Sequence, residues 1–429
     1  MDFYDYLSQN FSVSPKIISL ARSAEKRLAP QFRQVDEISG INQLKVLSAM
    51  QKHGLSEAHF AATTGYGYND AGRDALEAIY ATVFGAEDAL VRPQMISGTH
   101  ALTVALFGSL RHGDELLSPV GKPYDTLDTV IGIRPLIESR GSLAEHGVTY
   151  RQVDFLPDGT PDFDGIEKAV TPKTKMALIQ RSKGYAWRKS LSVDEIGRII
   201  ARIKAVKPDV ICAVDNCYGE FVEETEPSEP TGAGADLVVG SLIKNPGGGL
   251  AQVGGYIAGK REYVENAAFR LTSPGLGKEV GPTLGALPRM LQGLFLAPQV
   301  VGGCVRGAMF LSAVMDELGF DTMPGPGERR ADIVQAVSLK TPENVLAFCR
   351  GIQKAAPVDS AAVPEPWPMP GYDCPVVMAA GAFVQGSSIE LSADAPMRPP
   401  YTVYFQGGLT WRHAQAGVII AVNEMMNEK

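Results

Sequence analysis

Cysteine is scarce and scattered: Cys212, Cys217, Cys304, Cys349 and Cys374 make five in 429 residues. An odd count with no C-x-x-C spacing offers neither a disulfide framework nor a zinc site, and implies reduced thiols. The six histidines contain no H-E-x-x-H and no close pair, so a catalytic metal would find no ligand set. No stretch of 18 apolar residues suggests a membrane span. The opening MDFYDYLSQNF is acidic and aromatic, without the basic segment and apolar run of a signal peptide. Basic residues are not in excess. With 40 Lys and Arg against 48 Asp and Glu, the net charge is −8, and no basic stripe offsets it, which argues against a nucleic-acid partner. These absences point to a cytoplasmic protein that contacts neither membrane nor nucleic acid and whose hard chemistry needs an organic cofactor.

What is present is apolar and globular. Hydrophobic residues make up 45% of the chain and charged ones 21%, enough for a large core divided among two or three domains. From about Glu87 to Gly259 short apolar runs alternate with amphipathic stretches, the pattern of an α/β domain with a largely parallel sheet. ALVRPQMIS, DELLSPV, KMALIQ, DVICAVD and DLVVGSLI read as strands. In SVDEIGRIIARIKAV the residues Val193, Ile196, Ile199, Ile200, Ile203 and Val206 recur at helical spacing behind a Ser192/Glu195 capping box. Residues 1 to 60 resemble neither domain and read as a helical arm over a partner subunit. Residues 61–297 form the large domain. Residues 298–429 form a smaller α/β domain, entered through a helix from Pro298 to Leu318 and containing the strand-like PVVMAAGAFV and SSIELSA.

Ligands of such sheets gather at the carboxyl ends of the strands, so the residues just beyond each strand carry the most information. Two opposite charges stand there: Asp215 in CAVDNCYGEF and Lys244 in GSLIKNPGGG. Alone, Asp215 reads as a cap, and Lys244 as a strand end that reaches water, while the following glycines allow a phosphate cradle. Together the two residues form a buried ion pair, or flank a ring that needs a carboxylate at a pyridinium nitrogen and an amine at an aldehyde carbon, as pyridoxal phosphate does. A phosphate then needs donors nearby. Ser97, Gly98 and Thr99 lie where a strand passes into an apolar helix, whose free N–H groups and dipole suit an anion. Ser241, three residues before Lys244, adds a hydroxyl, and Tyr124 in GKPYDTL is placed to stack on a ring. A nucleotide-binding loop would need a hydroxyl residue after the lysine, where Asn245 and Pro246 stand instead.

With GYGYNDAGRDALE, LVRPQMISGTHA, VDNCYGEF and SLIKNPGGG, the chain resembles fold-type I pyridoxal-phosphate enzymes of Cys/Met metabolism over nearly its whole length. The likeness is greatest to the methionine gamma-lyase family branch that includes aluminium resistance proteins. The resemblance implies a seven-stranded, mostly parallel large domain and a smaller C-terminal domain. It makes Lys244 the cofactor-carrying lysine and catalytic base, Asp215 the pyridinium partner, Tyr124 the stacking and leaving-group residue, and Ser97, Gly98, Thr99 and Ser241 the phosphate contacts. Tyr66 takes the place of a tyrosine that reaches a neighbouring subunit's phosphate, which implies a homodimer or homotetramer with shared sites. The arginine that accompanies that tyrosine in the better known lyases is replaced by Gly67 or Tyr68. In RSKGYAWRK, which stands where those lyases have Ser-Pro-Thr-Asn, Arg181 is the candidate contact to the cofactor's ring oxygen or to an anionic substrate. YTVYFQGGLT lacks the arginine expected for the substrate carboxylate, leaving Arg398 before it, the preferred choice, and Arg412 after it.

The activity implied is carbon–sulfur elimination on a sulfur-containing or gamma-substituted amino acid. An aminotransferase uses the same parts, because the fold does not select the reaction. A non-enzymatic stress-related binding protein would not need Lys244 and Asp215.

Overall fold

The computed structural model describes residues 1–134, 139–369 and 374–427. Seven strands form the large sheet: β1 (Asp88–Arg92), β2 (Glu115–Ser118), β3 (Thr149–Gln152), β4 (Thr174–Gln180), β5 (Ile211–Asp215), β6 (Leu237–Ser241) and β7 (Gly255–Gly259). Their spatial order is β1-β7-β6-β5-β4-β2-β3, and β7 runs antiparallel to both its neighbours while β3, β2, β4, β5 and β6 are parallel. The central strands are buried along their whole length because helices cover both faces, so their sequences are continuous apolar runs rather than alternations. On one face lies the helix Val193–Val206, held at its start by the Ser192/Glu195 capping box and burying Val193, Ile196, Ile199, Ile200 and Ile203; Val206 is exposed. On the other lies the apolar helix Gly98–Ser109, packed against the helix Arg261–Leu271. A Cβ at Gly108 would come within 3.0 Å of the Ala267 backbone, so this close crossing requires glycine.

The smaller domain carries an antiparallel sheet of β8 (Asp321–Met323), β9 (Gln335–Ser338), β10 (Val376–Ala380), β11 (Ser392–Pro396) and β12 (Thr402–Gln406), ordered β10-β11-β12-β9-β8. The segment SSIELSA departs from the strand expected of it. Only its last two residues enter β11, because the Glu390 carboxylate accepts hydrogen bonds from the Phe383 and Val384 N–H groups and bends residues 387–391 into turns.

The long helix spans Leu287–Glu317 and so begins well before Pro298, which lies inside it. An internal proline costs a helix about 3 kcal/mol, and burial on both sides of Pro298, at Leu294, Ala297, Val301 and Cys304, outweighs that. By length and composition alone this helix could cross a membrane, but 72% of its apolar window is buried inside the protein, as befits a core helix.

The first sixty residues form helices Phe3–Asn10, Pro15–Arg27 and Ala29–Lys52. They are docked on their own chain. Asn42 Nδ2 donates to the Phe221 and Glu223 carbonyls at 3.2 and 3.0 Å, Gln415 Nε2 donates to Tyr4 Oη at 3.0 Å, and the Ser14 N–H donates to Asn423 Oδ1 at 3.0 Å. The outward face of the third helix leaves Ile41, Leu44 and Leu47 exposed.

Candidate active site

The strand ends converge as parallel topology requires. A cavity of about 210 Å³ opens at the carboxyl edge of β2, β4, β5 and β6, lined by Ser97, Gly98, Thr99, Tyr124, Asp215, Ser241 and Lys244 among others. Residues 119–124 leave β2, Gln180 ends β4, Asp215 ends β5, and Ser241 ends β6 three residues before Lys244.

Lys244 points into this cavity wall, its Nζ 4.1 Å from the centre of the Tyr218 ring. Burial opposes its charge, but the acidic groups around it (Cys217, Tyr218, Asp215 and Glu220) outweigh burial and raise its pKa above the usual lysine value. Burial raises the Asp215 carboxyl, while Lys244 and Cys217 pull it back; the Cys217 N–H donates to Asp215 Oδ1 at 3.2 Å. Tyr218 holds a left-handed backbone, φ 74°, which costs an aromatic residue strain and turns its ring toward the lysine. Ser388 Oγ, from the small domain, donates to the Tyr218 hydroxyl at 3.2 Å and ties the two domains across the site.

The glycines after Lys244 do not cradle a phosphate. Gly248 has φ 53°, and a Cβ there would lie 2.4 Å from the Gly293 carbonyl, so the loop is pressed onto the long helix Leu287–Glu317. The anion-binding features lie opposite. Ser97 caps the helix Gly98–Ser109 by accepting from the His100 N–H at 3.1 Å, which places the first N–H groups of that helix along the cavity wall. A Cβ at Gly98 would sit 3.3 Å from Ser241 Cβ and 3.4 Å from Cys217 Sγ, so the wall is narrow as well as polar. Ser241 Oγ is buried in that wall without a protein partner. An unsatisfied buried hydroxyl costs about 1–3 kcal/mol, a cost that a bound anion would remove. These donors, the Asp215 carboxyl and the Lys244 amine together fit pyridoxal phosphate.

Tyr124 lies on the cavity wall, its N–H donating to Gln180 Oε1 at 2.6 Å and its ring 5.9 Å from Tyr185. Thr99 Oγ1 is 2.9 Å from Thr126 Oγ1, which joins the helix start to the Tyr124 loop.

Three arginines stand apart. Arg181 is not a ligand contact: it is fully buried behind the strand ends, donating to Asn216 Oδ1 at 2.7 Å and Glu223 Oε2 at 2.8 Å. The backbone turns its side chain away from the cavity because Glu223 and Glu226, both buried, need a cation. Arg412 is likewise remote, bonded to Glu25 and Gln415 and stacked over Phe3. Arg398 is exposed and does not line the cavity. Tyr66 is 71% exposed, outside the cavity of its own chain.

Among the cavity-lining residues that the sequence reading did not single out are Gln180, Cys217, Tyr218 and Gly386. Gln180 carried a readable signal, since a polar residue ending the apolar run ALIQ obeys the same rule as Asp215.

The family model Methionine gamma-lyase matches residues 17–426. YnbB of Bacillus subtilis, an uncharacterized protein, is 50% identical over 409 residues, covering 95% of this chain and 96% of its own. A putative cystathionine beta-lyase involved in aluminium resistance from Clostridium acetobutylicum has a structure that superposes with TM-score 0.95 at 47% identity, covering 99% of both chains. The structure of a carbon–sulfur lyase involved in aluminium resistance from Clostridium novyi superposes with TM-score 0.93, also at 47% identity, over 98% of both chains.

Proposed function

This chain belongs to the methionine gamma-lyase family, and from that premise we propose that it is a pyridoxal-phosphate-dependent carbon–sulfur lyase acting on a sulfur-containing amino acid. One observation carries the reading: a lysine and a carboxylate face one cavity whose third wall is a helix start beside an orphaned serine hydroxyl. Lys244 would hold the cofactor covalently, Asp215 its ring nitrogen, and Ser97, Gly98, Thr99 and Ser241 its phosphate. When bound, pyridoxal phosphate supplies an electron-accepting ring that makes the α-proton of an amino acid acidic.

The chain's own groups account for the rest. Elimination removes the α-proton, breaks a C–S bond and protonates the departing sulfur, leaving an unsaturated amine that water converts to a keto acid and ammonium. Lys244, once its amine is free, is the base placed to take and return protons. Charge on Asp215 is favoured by the Lys244 ammonium and by the hydrogen bonds from Cys217, so a cationic ring nitrogen would complete its neutralisation. Tyr124, on the cavity wall, would hand a proton to sulfur, and Tyr218 lies against the lysine.

The test is spectroscopic first. Purified protein incubated with pyridoxal phosphate is expected to turn yellow, to be fixed by borohydride at Lys244, and to stay colourless as Lys244→Ala. A wild type that remains colourless refutes the cofactor. Cystathionine, cysteine, homocysteine or methionine should then release a thiol or sulfide with a keto acid; cofactor bleaching without any thiol would mean transamination instead.

A further inference from the structure

One polar atom of the cofactor still needs a donor. The pyridoxal ring carries an anionic oxygen on the carbon next to its aldehyde, and Arg181 is bonded to Asn216 and Glu223 behind the strand ends instead. Because Lys244 is the residue that meets the aldehyde, that oxygen comes to lie beside the lysine amine, and its donor must stand there too. Tyr218 does: it lines the cavity, and Lys244 Nζ rests 4.1 Å from the centre of its ring. Nearby polar groups at the end of β4 are engaged elsewhere. Ser182 Oγ donates to Asp332 Oδ2 at 2.8 Å, and Gln180 Nε2 donates to the Ser182 carbonyl at 3.0 Å. The Tyr218 phenol is differently placed. Its oxygen accepts from Ser388 Oγ at 3.2 Å, and its one proton has no acceptor among the described residues. Burial raises the Tyr218 pKa, against the Lys244 charge and the Ser388 hydrogen bond, so the proton is retained at neutral pH. The residue is also gripped at its backbone, where the Ile333 N–H donates to the Tyr218 carbonyl at 3.2 Å and φ is 74°. An aromatic held in a left-handed conformation at a cavity wall points to a function beyond packing.

We propose that Tyr218 is a cofactor-binding residue that donates its phenol proton to the ring oxygen of pyridoxal phosphate, the contact that Arg181 does not make. A donor to an anionic oxygen forms a charge-assisted hydrogen bond, stronger than a neutral one. The inference rests on the pyridoxal-phosphate reading of the cavity and is independent of which reaction follows.

Cofactor binding tests it without turnover. Equilibrium dialysis compares two compounds, pyridoxal phosphate and its deoxy analogue with hydrogen in place of the ring oxygen, on the full-length wild type and on Tyr218→Phe. The variant keeps the ring against Lys244 and loses only the phenol. It is expected to bind pyridoxal phosphate about tenfold less tightly or worse, the scale of a hydrogen bond to a charged group, and the analogue within about twofold of wild type. The ring oxygen also assists the bond to lysine by itself, but that part of the preference is common to both proteins, so the four affinities isolate the Tyr218 contact. Equal weakening of both compounds in Tyr218→Phe overturns the proposal, because a purely structural role would produce it. Equal binding of the two compounds by the wild type overturns it without recourse to the variant. A wild type that holds neither compound refutes the cofactor reading and this assignment with it. A selective loss of pyridoxal phosphate in a protein that releases no thiol from any amino acid supports this contact and refutes the lyase reading alone.

Discussion

Glu220 is the buried acid whose behaviour the structure defines most sharply. It is fully buried beneath the lysine loop; Tyr256 Oη donates to its Oε1 at 2.9 Å, the Asn245 amide donates to its backbone carbonyl at 3.0 Å, and its Oε2 has no partner. Burial pushes its carboxyl up to about 8, with the neighbouring Glu226 adding to the rise and its own backbone, Tyr256 and Lys244 opposing it. The folded protein therefore holds a proton on Glu220 at pH values where the unfolded chain, with an ordinary glutamate near 4.5, has lost it. Stability from this group is complete below the unfolded pKa and is lost as pH rises from there through about 8. Each pH unit in that window removes about 1.4 kcal/mol, so roughly 2 to 3 kcal/mol should disappear between about pH 6 and pH 8. Glu220→Gln keeps the shape and cannot ionise. Urea unfolding of both proteins at the same concentration should show near-equal stabilities below about pH 4.5 and an advantage for the variant that grows by roughly 2 to 3 kcal/mol between about pH 6 and pH 8. Parallel pH curves would mean that Glu220 is already ionised in the folded protein, and the burial argument would fail.

Removing the guanidinium in Arg181→Ala strands two buried glutamates, Glu223 and Glu226, although Arg329 still reaches the first at 2.7 Å. A loss of about 3–5 kcal/mol in urea unfolding is expected, with the yellow colour retained by the folded fraction; full stability with lost colour would return Arg181 to the cofactor. In solution the protein should be at least a dimer of its 45.9 kDa chain, since Tyr66 and Tyr68 are exposed outside the cavity of their own chain and Ile41, Leu44 and Leu47 form an uncovered apolar stripe. Light scattering that finds a cofactor-loaded monomer would refute this.

Charges at strand ends were legible because topology, not packing detail, places them. Once five parallel strands are assigned, Asp215 and Lys244 must emerge at one edge, and Ser97 to Thr99 follow from a strand that hands over to an apolar helix. Strands without an apolar run were not legible. β3 is a polar edge, TYRQ, and β7 is bounded by glycines that weaken its signal. One of them is imposed from outside the strand: a Cβ at Gly255 would come within 2.9 Å of Ala101 on the helix Gly98–Ser109. The arginines were misread for the same reason in reverse. Arg181 stands one residue beyond the strand position that Asp215 occupies, and the buried carboxylates of Glu223 and Glu226, 42 and 45 residues further on (223 − 181, 226 − 181), hold its guanidinium inward. Position after a strand predicts that a side chain is near the site edge; its direction is set by whichever buried charge most needs it.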